Sequence, residues 1–346
     1  MSEALPSFIT VKNRIDSLEN GKAVGDILQW DGIKWRSGPF GQQSNMKILT
    51  VNPSLPQTVN DNYQTISAAI QSIPIAETNT TNIYITSGVY NETFTVDRPV
   101  YFKGLGDVTI TLTSPVVISK KCTMKNLTFN SSAEAFRLDS SHNMTADLVE
   151  FVLCNITTTS TTLYAFDTNA QTKAVPIKFT NCVLTGTYTI KLDNLSTMII
   201  DNCTGCTGII TISSNTAKAA VIKHTEWTGS INLINGASQL TALTNILNIY
   251  YSTILTSGNA SSITNTKLFS EVICNYVHFY NDLGTASTID VGLPPVAGVP
   301  QVSHIDLKYA NLSFSAYTSG GTANDKINAH ATSAAVTPID VIPTVA

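Results

Sequence analysis

Few side chains in this chain of 346 residues stand at spacings that could do chemistry. Asp147 and Glu150 form the nearest local carboxylate pair, and Asp193 with Asp201 the next. Two carboxylates facing each other across a cleft are what glycoside hydrolysis needs. Three positions apart on a strand, Asp147 and Glu150 would point to opposite faces. Asp201 falls in line with Lys223 one repeat later, so a surface ion pair is the simpler account. Glu226-Trp227 is a candidate glycan contact, because an aromatic face suits a pyranose ring. A packed Trp227 is the blander alternative. Lyase chemistry on acidic sugars would want an Arg or Lys base, and Arg137 stands alone in Ala135-Phe-Arg-Leu-Asp139.

Metal and redox chemistry find less. The five histidines (His142, His224, His278, His304, His330) are dispersed without ligand spacing. Cys203-Thr-Gly-Cys206 has a metal-like spacing, but no second pair follows it. Cys182 and Cys203 align as repeat positions, so they read as buried thiols. No catalytic residue, metal ligand or cofactor site is assigned.

Composition narrows the classes further. Only 13% of residues are charged and the net charge is −4, which gives nucleic-acid binding no electrostatic support. No window of about 18 apolar residues suggests a membrane span. The first residues show no basic and apolar leader, so no signal peptide is expected. Polar surface comes from Thr, Asn and Ser, the residues that many strands and turns use.

These candidates must be positioned by a repeat. Three segments, Ile177–Ile190, Ile199–Ile212 and Val221–Leu233, each hold an apolar strand, a Thr-Gly turn and a second apolar strand. Their glycines, Gly186, Gly208 and Gly229, lie 22 and 21 residues apart. That period marks stacked architectures, whose units cannot bury an apolar face alone. The reading is an all-β fold: a right-handed single-stranded parallel β-helix over 46–283, with Asn194, Asn215 and Asn235 as a ladder at a second corner. Loops should bulge near Thr157–Thr162 and Asn169–Ala174.

The flanks are smaller modules. Val11, Ile15 and Leu18 fall at near-helical spacing. Val24–Gly38 reads as two strands around an Asp31-Gly32 turn, with Trp30 and Trp35 beside it. Residues 1–45 are expected to form a separate N-terminal segment that contains this hairpin. Ile66, Ala69, Ile70 and Ile73 recur at helical spacing before Pro74, so Tyr63–Ile73 is expected to close the solenoid's open end. The Gly292-Leu-Pro-Pro295 break suggests a separate C-terminal module over 284–346.

Two resemblances follow from these motifs. Gly25-Asp-Ile-Leu-Gln-Trp-Asp-Gly-Ile-Lys-Trp35 resembles segments of phage and large-virus fibre proteins. The helix, Ile83-Tyr-Ile85, Gly88-Val-Tyr-Asn-Glu92 and Val100-Tyr-Phe-Lys-Gly104 resemble the first rungs of pectinesterases and other pectin-lyase-like proteins. In that resemblance Tyr90 and Glu92 are turn-packing residues. The pectinesterase catalytic set does not carry over. Thr189 stands where the family has an essential Asp, and Ile156-Thr-Thr-Thr-Ser-Thr-Thr162 replaces its Gln-Asp-Thr-Leu stretch. Thr cannot serve as a carboxylate nucleophile or acid-base group.

The resemblances imply a structural fibre or spike subunit at the virion surface, a homotrimer. Residues 1–45 would contact capsid or tail proteins, and host-surface polysaccharide would be the other partner. The alternatives are a polysaccharide-degrading tailspike-like enzyme and a secreted pectin-lyase-like enzyme.

Overall fold

The computed structural model describes residues 26–30, 35–39, 48–55, 62–139, 147–168, 174–193, 195–234, 244–256, 262–265, 267, 270–281, 289–291, 304–308, 311–312, 317–319 and 326–330. The helical spacing at Val11–Leu18 lies outside these residues. Contacts divide the chain into two units, Met1–Lys47 and Ile48–Ala346.

The first unit contains one antiparallel pair, Asp26–Trp30 with Trp35–Pro39. Trp30 pairs with Trp35 across the end of the ladder. Four residues, 31–34, therefore link the paired ends. This corrects the expected two-residue turn at Asp31-Gly32.

The second unit is a parallel β-helix with three faces. On the first face, one inward column runs Val100, Cys122, Val149, Ile177, Met198, Ala220, Leu247, Val272, each paired with the next in parallel register. A second column two residues on includes Phe102, Met124, Phe151, Phe179, Ile200 and Ile222, all essentially buried. Phe151 and Phe179 stack with ring centroids 5.1 Å apart. Side chains alternate across a strand, so each rung turns one apolar row inward and one polar row outward. The two long strands Thr81–Asn91 and Val100–Leu112 bend round the first corner and belong to both first and second faces. The third face runs through Val116, Phe136, Phe166, Ile190, Ile210 and Ile231.

Each corner has its own device. Between the second and third faces stand Gly186, Gly208 and Gly229, as the repeat predicts. A Cβ on Gly208 would lie 2.2 Å from the Gly186 carbonyl oxygen, and one on Gly229 would lie 2.1 Å from that of Gly208. Gly208 also takes a φ of +107°, a region closed to most L-residues. Between the first and second faces, Asn126, Leu153, Asn181, Asn202, His224, Tyr251 and Tyr276 all take φ between 47° and 57°. Each of the first six donates its amide to the last strand carbonyl of the following rung. The residues after three of them, Cys154, Cys182 and Cys203, turn their thiols inward, and the column continues as Thr225 and Ser252. The expected asparagine ladder falls largely outside the described residues, because Asn194 and Asn235 do.

The N-terminal plug is the helix Ile66–Gln71, shorter than the expected Tyr63–Ile73. Asn62–Tyr63 is instead a short strand paired with Thr50–Val51. Thr65 caps the helix, its Oγ1 accepting the Ala68 amide at 3.1 Å. Ile66, Ala69, Ile70 and Ile73 are buried against the first rungs, as their spacing predicts.

The stacking does not change at residue 284. Ser270–Asn275 pairs with His304–Lys308, which pairs with Lys326–His330. Ile289–Val291 and Tyr317–Ser319 extend the third face. The Gly292-Leu-Pro-Pro295 break lies outside the described residues.

Candidate functional site

The outer surface of the third face gathers more charged and aromatic side chains than any single stretch of sequence suggests. Its outward column reads Arg137, Asp167, Lys191, Thr211 in register on successive rungs. Glu134 lies just before the strand Phe136–Leu138, in a corner pinned by hydrogen bonds. Ser131 Oγ donates to the Glu134 carbonyl at 3.1 Å, and Thr158 Oγ1 donates to the Ala133 carbonyl at 2.6 Å. The Glu134 side chain is only 3% exposed, whereas that of Arg137 is 43% exposed. Arg137 Nε donates to both Glu134 oxygens, at 3.1 and 2.9 Å, and Nη2 donates to Oε2. The buried carboxylate thus holds a guanidinium at the surface. Burial pushes the Glu134 carboxyl above its ordinary range, and the Arg137 hydrogen bond and charge pull it part of the way back.

Lys191 sits between two carboxylates, 3.5 Å from Asp167 and 3.0 Å from Asp193. Burial alone would lower its pKa, but Asp193 and Asp167 outweigh burial and raise it. Two tyrosines border the charges. Tyr164 and Tyr188 pair in register, their ring centroids 5.3 Å apart and tilted by 60°. The Tyr164 hydroxyl reaches two rungs along and shares a 2.8 Å hydrogen bond with Thr211 Oγ1. Burial raises its pKa. The short loop before Tyr164 is exposed and folded around Ser160, whose Oγ accepts the Leu163 amide at 2.9 Å. Thr157 itself lies in the strand Asn155–Thr158, so the expected bulge over Thr157–Thr162 is shorter than expected. Residues 169–173 of the other expected loop lie outside the described residues.

Comparison with known proteins adds little to this geometry. No protein-family profile matches the chain, and no curated protein matches it. Two solved structures are similar in fold. One is the pectin methylesterase from carrot, 14% identical, with a TM-score of 0.45 over 80% of this chain and 88% of that one. The other is pectin methylesterase PemA from Erwinia chrysanthemi, 11% identical, with a TM-score of 0.29 over 81% of this chain and 92% of that one.

The other sequence candidates take different places. Trp227 is fully buried within the second face, between Cys206 and Ile254, and its Nε1 donates to the Gly208 carbonyl at 2.8 Å. Its ring is therefore enclosed and presents no face to a sugar, which corrects its assignment as a glycan contact. Glu226 beside it is exposed. Asp201 meets Lys223 at 3.0 Å and His224 at 3.3 Å, the surface ion pair that the alignment predicts. Glu150 meets Lys178 at 3.1 Å in the same way. Asp147 precedes its strand, so the alternation rule does not govern it. Arg137 does not stand alone, being paired with Glu134. Thr189 is buried and donates to the Thr207 carbonyl.

All six cysteines are buried as thiols. Among the described residues, no group of three or more His, Cys, Asp or Glu side chains could hold a metal ion. No described helix is long and apolar enough to cross a membrane.

Sequence reasoning passed over Glu134, Tyr164, Asp167, Tyr188 and Lys191. Tyr164 and Tyr188 occupy one rung position, and aligning the repeat upstream of Pro176 would have exposed them. No local signal marks Glu134.

Proposed function

We propose that this chain is a structural fibre or spike subunit of a virion whose β-helical shaft binds host-surface polysaccharide without cleaving it. In this reading it is a homotrimer attached to capsid or tail proteins through residues 1–45. The observation that carries the binding reading is the Tyr164–Tyr188 pair beside Arg137, Asp167 and Lys191 on one outer face. Tilted aromatic rings offer apolar surface to a sugar ring, and the flanking charges offer donors and acceptors to its hydroxyls. The virion role rests on the fibre-like segment Gly25–Trp35. The absence of catalysis rests on Thr189, where the pectinesterase resemblance calls for an Asp, and on Ile156–Thr162 standing in place of its Gln-Asp-Thr-Leu stretch.

The test is a glycan array probed with the full chain and with Tyr164→Ala and Tyr188→Ala. The parent should bind a polysaccharide, and each variant should lose about tenfold, the weight of one or two lost contacts. The sizes of the bound polysaccharide should not change on incubation. Undiminished binding by both variants would remove the site. New reducing or unsaturated ends would favour the degrading enzyme instead.

A further inference from the structure

The three outer surfaces differ in charge. On the first face, Lys103, Lys125, Glu150 and Lys178 supply one charge on each of four successive rungs. On the third, Arg137, Asp167 and Lys191 do the same on three. The second face is different. From Val89 to Thr185 its outward positions read Val-x-Asn, Thr-x-Thr, Thr-x-Asn, Asn-x-Thr and Val-x-Thr on five successive rungs in unbroken register. None of these side chains is charged. Val89 is 67% exposed, and Asn130 and Asn155 are exposed. Thr157 and Thr185 share a 2.8 Å hydrogen bond from rung to rung, which holds the hydroxyls in a row.

Exposed β-surfaces ordinarily carry charges that keep copies apart. This chain places such charges on the first and third faces and omits them from the second over a strip about 19 Å long, at about 4.8 Å per rung. Threonine hydroxyls and asparagine amides each donate and accept, so a surface made of them is complementary to itself. It offers no ring for a sugar to stack on and no charge for an ionic partner.

We infer that the second face, from Val89 to Thr185, is where copies of this chain meet. The inference rests on the homotrimer reading and names the surface turned toward the common axis. Closed symmetry then covers the charge-free strip and leaves the charged third face, with its tyrosines, outward.

The test is sedimentation of the full chain at micromolar concentration beside three variants. One is N130K/N155K, which puts two ammonium groups on the strip. The others are Asn155→Asp and, on the first face, Thr123→Lys. The parent and Thr123→Lys should sediment as trimers. N130K/N155K should sediment as a monomer with its circular-dichroism melt preserved, because both positions point outward. Should it fail to fold, Asn155→Asp is read in the same way and should raise the trimer's dissociation constant at least tenfold. A monomeric parent would defeat the trimer reading itself. A trimeric parent with equally trimeric, folded variants would leave that reading standing and overturn the assignment of this face. So would a variant that stays trimeric while losing polysaccharide binding, which would make the strip a ligand surface.

Discussion

The Glu92 carboxylate accepts the Ile66 amide at 2.8 Å, joining residues 26 apart in sequence. Its other oxygen accepts the Ser67 amide at 3.1 Å. Arg98 Nε closes the opposite end by donating to the Ile73 carbonyl at 2.8 Å. The plug is thus held at both ends by side chains of the rung it covers. Glu92→Ala should lower stability by about 1–2 kcal/mol, the usual weight of a lost cap. Ile70→Asp buries an unpaired charge and should cost about 4 kcal/mol or more. Denaturant unfolding of both variants checks this, and a parent-like midpoint for Ile70→Asp would mean that the helix closes nothing.

Gly208→Ala would drive a methyl group into the Gly186 carbonyl at a backbone φ of +107°. The Gly186 carbonyl is backbone and cannot swing aside, and the Thr189 Oγ1 lies equally close at 2.2 Å. The expected loss is about 2–4 kcal/mol. Gly205→Ala is the control, since a Cβ there meets nothing within 4 Å, although its φ of +67° adds backbone strain. The difference between the two melts isolates the stacking contact.

Lys267 is 1% exposed, its Nζ donating to the Ser213 and Ile234 carbonyls at 3.1 and 3.3 Å. Burial pushes its pKa down to about 8 from 10.5. Between those values the unfolded chain holds a proton that the folded one lacks, so this group adds stability as pH rises. The buried thiols act oppositely. Hydrogen bonds along their column first, and burial after, raise Cys182 and Cys203 to about 12 from 9.0, so their contribution falls as pH rises above 9. Subtracting the Lys267→Met stability curve from the parent's leaves the lysine alone. The difference should climb by on the order of 3 kcal/mol between pH 8 and 10.5. A flat difference would show that Lys267 titrates as an ordinary lysine.

Methyl-esterified pectin should yield no methanol with this protein. Thr189 is buried on rung backbone, and the Thr157 hydroxyl meets that of Thr185. Release at esterase rates would require a catalytic set on another face.

The corner glycines were legible because a close backbone approach admits one residue type, and a fixed residue type shows as a period. Trp227 could have been read from its own strand: Glu226 and Thr228 are polar, and alternation sends the residue between them inward. The third-face site was not legible in that way. Tyr164 and Thr211 touch across 47 residues, and the connections between their rungs differ in length. Local pattern gives the direction of each side chain but not which rung lies beside it.

At the first corner six left-handed residues, from Asn126 to Tyr251, give their amides to the rung that follows, as Asn181 does to Asp201 and His224 to Tyr250. These amides point forward, whereas those two residues on, such as Asn155 to the Leu127 carbonyl, point back to the rung already laid. As a ribosome releases this protein from its N-terminus, each corner remains unfinished until the next rung is laid against it. The growing solenoid therefore always carries one incomplete step at its front, behind which the structure is already settled. Elongation resembles the advance of a crystal edge, with the helix-closed end as its seed. A chain cut short in translation would keep its earlier rungs and expose a fresh, unpaired edge.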